Sequence, residues 1–173
     1  MNNLELFQIL RPIVQTVTGV QTVILADQNQ SAPKGEYVTI RPRQSINERG
    51  QANIRTKNVP GDKVSTDVRA QIIATCSLNF YRGEAMANAQ KLKQCNKRPD
   101  VSIALFKSKI GWGGTDAVNN LTSLQSSNWE QRAQVMIRLL YETSDVVEIN
   151  NILSAQVILQ NEKGTTLQIV DVP

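Results

Sequence analysis

Val68-Arg69-Ala70-Gln71-Ile72-Ile73-Ala74-Thr75-Cys76-Ser77-Leu78-Asn79-Phe80-Tyr81 is the longest alternating stretch in the chain. Val68, Ala70, Ile72, Ala74, Cys76, Leu78 and Phe80 recur at every second position, so an extended backbone places them on one face. The spacing predicts a strand over 68–81 with that face against a core, stopped by Gly83. Whatever surrounds this strand has to cover a wide apolar stripe.

Upstream, Leu6, Phe7, Leu10, Ile13, Val14 and Val17 fall at helical intervals over Leu4–Thr18. Asn2 or Asn3 suits the cap, Glu5 the positive end of the helix dipole, and Gly19 the left-handed stop. Pro12 inside this run predicts a kink, or a helix that starts near it. Val20–Leu25 reads as a short apolar strand and Asp27–Gly35 as a polar loop. A second strand is expected over Glu36–Ile46, where Pro42 bars it from being central throughout. Residues Asn47–Asp67, rich in Asn, Gly, Lys and Arg and turning at Pro60-Gly61, read as a projecting hairpin arm with little to bury.

Downstream, Ala85, Met86, Ala89, Leu92 and Lys93 predict a helix over Glu84–Asn96. Ile103–Ile110 reads as a strand, broken by Gly111-Trp112-Gly113-Gly114. Asn128–Thr143 alternates Trp129, Gln131, Ala133, Val135, Ile137, Leu139 and Tyr141 with polar residues. A helix there would set Arg138 beside Val135 and Leu139, so a strand fits better. Val157–Val172 is a hairpin turning at Lys163-Gly164. The sum is an α+β fold: a mostly antiparallel sheet with helices packed on one face, plus a projecting β-hairpin arm. One domain over 1–173 is expected, with the arm at 47–67 and a C-terminal hairpin at 157–172.

The chain has 173 residues, 40% hydrophobic and 20% charged, with a formal net charge of +4 and no histidine. A chain of this size buries roughly two-thirds of its unfolded surface, enough for a core without staples. The missing imidazole excludes Ser-His-Asp and Cys-His catalysis and any His-ligated metal. Cys76 and Cys95 form no C-x-x-C pair and do not suffice for a zinc site; buried, reduced thiols are the plain expectation. There is no D-x-D or E-x-x-E pair and no P-loop, and the Gly111–Gly114 turn lacks dinucleotide-binding spacing. No catalytic, cofactor-binding or metal-binding residue is therefore expected. No apolar run approaches the roughly 20 residues of a membrane span, and the N-terminus lacks the basic start of a secretory signal.

Charge is polarised along the chain. Residues 34–69 carry eight Lys/Arg against four acids, residues 84–109 six against two, and residues 110–173 three against seven. Arg41, Arg43, Arg49, Arg55, Lys57 and Lys63 are the candidate interface residues. One use is binding nucleic acid, against which stand the few aromatics and the acidic last third. Another is head-to-tail self-association, basic face to acidic face, a contact that closes into rings; a third reading is a solvated mixed surface with no binding role. Asn and Gln, thirty-one residues together, suit broad polar contact surfaces.

The order of elements resembles a known family. A starting helix with Leu4, Phe7, Leu10-Arg11-Pro12-Ile13-Val14 and Thr18-Gly19 leads to a strand ending in Ala26-Asp27-Gln28-Asn29. The Tyr37-Val38-Thr39-Ile40 strand, the long strand ending Ser77-Leu78-Asn79-Phe80-Tyr81, an Ala-rich helix and a Trp129-Glu130-Gln131-Arg132-Ala133 strand follow. Over roughly residues 4–150 this is similar to the neck and tail-terminator proteins of long-tailed bacteriophages. The resemblance implies a structural virion protein: a homo-oligomeric, hexameric ring that caps the tail tube and joins it to the neck of the head. It implies contacts with tube, connector and sheath proteins, DNA only in transit through the lumen, no cofactor, and assembly in the host cytoplasm. The alternatives are another connector component (stopper, tail-completion or tube protein), a basic nucleic-acid-binding module, or an enzyme using a lone Asp, Lys or Tyr.

Overall fold

The computed structural model describes residues 1–29, 31–125, 127–152 and 154–172. Helix α1, Asn3–Thr18, opens with a capping box: the Asn2 side chain accepts from the Glu5 backbone N–H, and the Glu5 carboxylate accepts from the Asn2 N–H. It closes at Gly19, whose φ of 83° is the left-handed stop and whose N–H donates to the Gln15 carbonyl. The helix runs through Pro12 and does not begin there.

β1 (Val23–Leu25) pairs in parallel with β2 (Tyr37–Glu48). β2 runs antiparallel to β4 (Lys63–Tyr81), and its register shifts between Arg41 and Ser45. Pro42 sits in that irregularity, past the end of the β1 pairing, where its missing N–H costs no ladder bond. β3 (Asn53–Val59) pairs with the Lys63–Arg69 part of β4, so β4 begins at Lys63, ahead of the alternation seen in the sequence.

After β4 come α2 (Ala85–Lys93), a 3-10 turn (Cys95–Lys97) and α3 (Pro99–Lys107). The predicted strand over Ile103–Ile110 is therefore corrected to a helix through Lys107. Pro99 takes the first helical turn, Asp100 and Lys107 match the dipole, and Val101 and Leu105, one turn apart, are both buried. The predicted break at Gly111–Gly114 is also corrected: it is β5 (Gly111–Thr115), antiparallel to β9 (Arg132–Asn150). Its glycines permit close approach. A Cβ on Gly113 would lie 3.2 Å from the Arg138 carbonyl oxygen and from the Leu140 side chain.

β6 (Asn119–Asn120) also pairs with β9, while β7 (Ser123–Gln125) and β8 (Asn128–Glu130) form a small hairpin of their own. Among the described residues seven strands make one mixed sheet, in the order β1-β2-β4-β9-β5 with β3 on β4 and β6 on β9. The chain is α+β. β10 (Ala155–Gln160) and β11 (Thr166–Val172) are a separate antiparallel pair.

Two compact units emerge, residues 1–51 with 70–143, and residues 52–69 with 144–173. The first holds the core. Leu6, Leu10, Ile13 and Val14 of α1 join Val38 and Ile40 of β2, Ala74, Cys76, Leu78 and Phe80 of β4, and Ala133, Val135, Ile137 and Leu139 of β9. These are the alternate residues that the period-two reading selected on β4 and β9. In the second unit Val64 is the buried side chain among the described residues, and β10–β11 is exposed along its described length.

Candidate interaction surface

Because Val38 and Ile40 point into the core, their neighbours Tyr37, Thr39 and Arg41 point the other way. The register sets Tyr37 opposite Tyr81, Thr39 opposite Asn79 and Arg41 opposite Ser77. Tyr37 and Tyr81 stack with ring centroids 4.5 Å apart and planes 4° apart. The Arg132 guanidinium lies 4.9 Å from the Tyr81 ring centre, and that of Arg82 5.7 Å from that of Tyr37. Arg132 also donates to the Asn79 side-chain oxygen at 3.3 Å, and Gln134 donates to the Ser77 hydroxyl at 3.0 Å. Burial, and then the neighbouring Tyr81, raise the Tyr37 phenol above its ordinary pKa.

Arg82 closes the end of β4. With φ of 63° it turns the chain, donates to Glu130 at 2.9 Å and to the Pro33 carbonyl at 2.8 Å, and so ties the β1–β2 loop to β8. Beside it lies an open groove of about 620 Å³, walled in part by Glu84, Gln125, Trp129 and Gln131.

The six predicted interface residues divide between the units. In the first, Arg41 grips Asp27 with two guanidinium nitrogens and Gln44 with the third, and this bond to Arg41 lowers the Asp27 pKa. Arg43 turns to the start of α1, donating to the Asn3 side chain and the Met1 carbonyl. Arg49 borders a small pocket with Gln71, Tyr141 and Glu142. In the second unit Arg55 stands opposite Asp67 and Lys57 opposite Ser65 in the β3–β4 ladder, and Lys63 reaches Glu148 at 3.6 Å. Asp67 is held below its ordinary pKa, first by the Ser144 hydroxyl and then by Arg69. Two of the six thus serve the first unit's own structure, while Arg55 and Lys57 lie exposed on β3.

The structure adds apolar side chains that the sequence reading did not single out as surface. Leu124 and Trp129 are a cross-strand pair on β7–β8, 57% and 72% exposed. Ile103 and Phe106 stand on the solvent side of α3, Phe106 at 83% exposure. The alternation in the sequence sets Trp129 on the face of Ala133 and Val135; the structure corrects this, because Trp129 belongs to β8, apart from β9, and is exposed.

Chemistry is held back elsewhere. Cys76 and Cys95 are free and buried, and burial pushes their thiols up to about 12 and about 11, so at neutral pH neither is a thiolate. Among the described residues no group of three or more Cys, Asp or Glu could hold a metal ion, and no helix is long and apolar enough to cross a membrane.

The first unit thus keeps its thiols buried and carries Trp129 and Phe106 exposed at its surface. The chain belongs to the phage neck terminator protein family, whose model matches residues 4–163. No curated protein matches it. The family is one of structural phage proteins and not of enzymes, which makes this chain a virion component of the head–tail junction that meets other head or tail proteins.

Proposed function

We propose that the chain is a ring-forming terminator. Copies of one tail-terminator-like domain close into a hexameric ring, stop growth of the tail tube and join the tail to the neck connector. In this reading the helices cover one face of the sheet, and the β3–β4 hairpin, with Arg55, Lys57 and Lys63, is an arm that reaches the next subunit. The observation that carries it is the composition of that hairpin. From Asn53 to Lys63 every described side chain is exposed but Val59, which is half-buried, so these residues contribute almost nothing to a monomer's core. Its contacts at home are the β3–β4 ladder and polar links such as Lys63 to Glu148, which leave its side chains available to a neighbour.

Ring assembly takes place in the host cytoplasm, sheath contacts follow if the tail is contractile, and DNA meets the protein only as it passes through the lumen. Deleting Gln51–Lys63 tests the arm. The variant is expected to fold, keeping its cooperative melt, and to lose both ring formation by sedimentation and attachment to tails by electron microscopy. Unfolding of the deletion variant, or normal assembly by it, overturns the reading.

A further inference from the structure

The β10–β11 hairpin is a two-stranded sheet with apolar side chains on both faces. Val157 pairs with Val170 and Ile158 with Ile169; consecutive strand residues face opposite ways, so each face carries an apolar pair. Val157, Ile158 and Leu159 are 47–49% exposed, Ile169 54% and Leu167 68%. A lone two-stranded hairpin is marginal in water, and pairing one of its edges with another sheet supplies the further strands that a stable sheet needs.

We propose that this hairpin docks on the open edge of β3 in a second copy of the chain. The proposal rests on the ring reading and names the part of the neighbour that the arm receives. Three observations support it. First, among the described residues β3 pairs with β4 alone, which leaves a seven-residue edge, and β11 is also seven residues long. Strand addition of this kind supplies main-chain hydrogen bonds along the whole length.

Second, the charges are complementary. Residues 52–69 carry Arg55, Lys57, Lys63 and Arg69 against Asp62 and Asp67, net +2. The hairpin, residues 155–172, carries Lys163 against Glu162 and Asp171, net −1, so its excess charge is opposite in sign to that of the receiving edge. A basic receiving edge and an acidic inserted hairpin on the same molecule make a head-to-tail contact, which can close a ring.

Third, the chain leaves the arm at its turn. The Asn151 N–H donates to the carbonyl of Asp62, between β3 and β4, and β10 starts at Ala155. The hairpin therefore starts close to the tip of the arm, the part of the chain that this reading presents to the neighbouring subunit.

Charge reversal in the full-length protein tests this. Arg55→Glu with Lys57→Glu makes the arm acidic; Glu162→Lys with Asp171→Lys makes the hairpin basic. All four positions are exposed, and unchanged melting temperatures verify folding. By sedimentation velocity, each double variant alone is expected to need about tenfold more protein than wild type for half-assembly. An equimolar mixture regains wild-type assembly, because an alternating ring makes every contact complementary. Ile158→Asp with Ile169→Asp, which no charge swap repairs, stays unassembled in any mixture.

Wild-type assembly by each variant alone, or a mixture that stays dissociated, overturns the hairpin proposal and leaves the ring reading standing. Variants that form rings but no longer bind tails show that the hairpin's partner is a tail component, which also overturns it. Wild-type protein that remains a monomer even with tails present overturns the ring reading itself.

Discussion

Tyr37 and Tyr81, opposite one another in the β2–β4 ladder, stack with their planes 4° apart and have an arginine against each ring. An offset or parallel pair of this kind adds about 0.5–1.5 kcal/mol beyond simple burial. The pair lies where β2 begins and β4 ends, at the first matched position of their ladder.

Its titration has a defined sign. The Tyr37 phenol is raised by burial, so the folded state holds its proton at pH values where the unfolded chain has lost it. The stability it contributes is complete below the ordinary tyrosine value of about 10 and is lost as pH rises through the folded value. Chemical denaturation across the alkaline range is expected to show a falling limb in the wild type that is shallower in Tyr37→Phe. Equal limbs in the two proteins contradict this.

Gly113 and Gly111 share β5 but not their surroundings. A Cβ on Gly113 would come 3.2 Å from the Arg138 carbonyl oxygen, whereas one on Gly111 would meet Leu140 at an ordinary 3.4 Å. Gly113→Ala is expected to cost about 1–3 kcal/mol by overpacking. Gly111→Ala stays within about 0.5 kcal/mol, as surface changes do. Urea titration of the two variants measures the difference directly.

Ile137 and Phe106 separate core from surface. Ile137 is 0% exposed and Phe106 83%. Ile137→Ala is expected to cost about 2–5 kcal/mol of stability. Phe106→Ala is expected to leave the melting temperature almost unchanged. If Phe106→Ala destabilises the monomer as strongly, α3 is packed in some other way than described.

Duplex binding gives the remaining check. Arg41 and Arg43 are occupied within their own unit. A protein that grips phosphates through several cations loses affinity steeply as salt rises, roughly in proportion to the number of contacts. Fluorescence anisotropy with a labelled duplex is expected to show weak binding with a shallow salt dependence. A steep slope restores the nucleic-acid reading of these residues.

Periodicity carried the fold where one face of an element is dry and the other wet. The alternation on β4 and β9 and the apolar stripe of α1 named core residues that the structure buries. It misled at α3, because Ile103 and Phe106 put apolar groups on the solvent side and blur the helical stripe. It misled at β5 because glycine there answers a neighbour's backbone, distant in sequence. The candidate surface was readable in parity alone: Tyr37, Thr39 and Arg41 share a side in any strand. Which partners they meet depends on register and on loops, as Asp27 does for Arg41, and no local pattern encodes either.

The neutral, enclosed sulfurs of Cys76 and Cys95 give the molecule a practical quietness. A maleimide dye or nitroxide spin label attached through one newly added surface cysteine would report from its own address, with no background from the native pair. Distances between labelled copies can then be read in the finished particle without first stripping the sequence of sulfur.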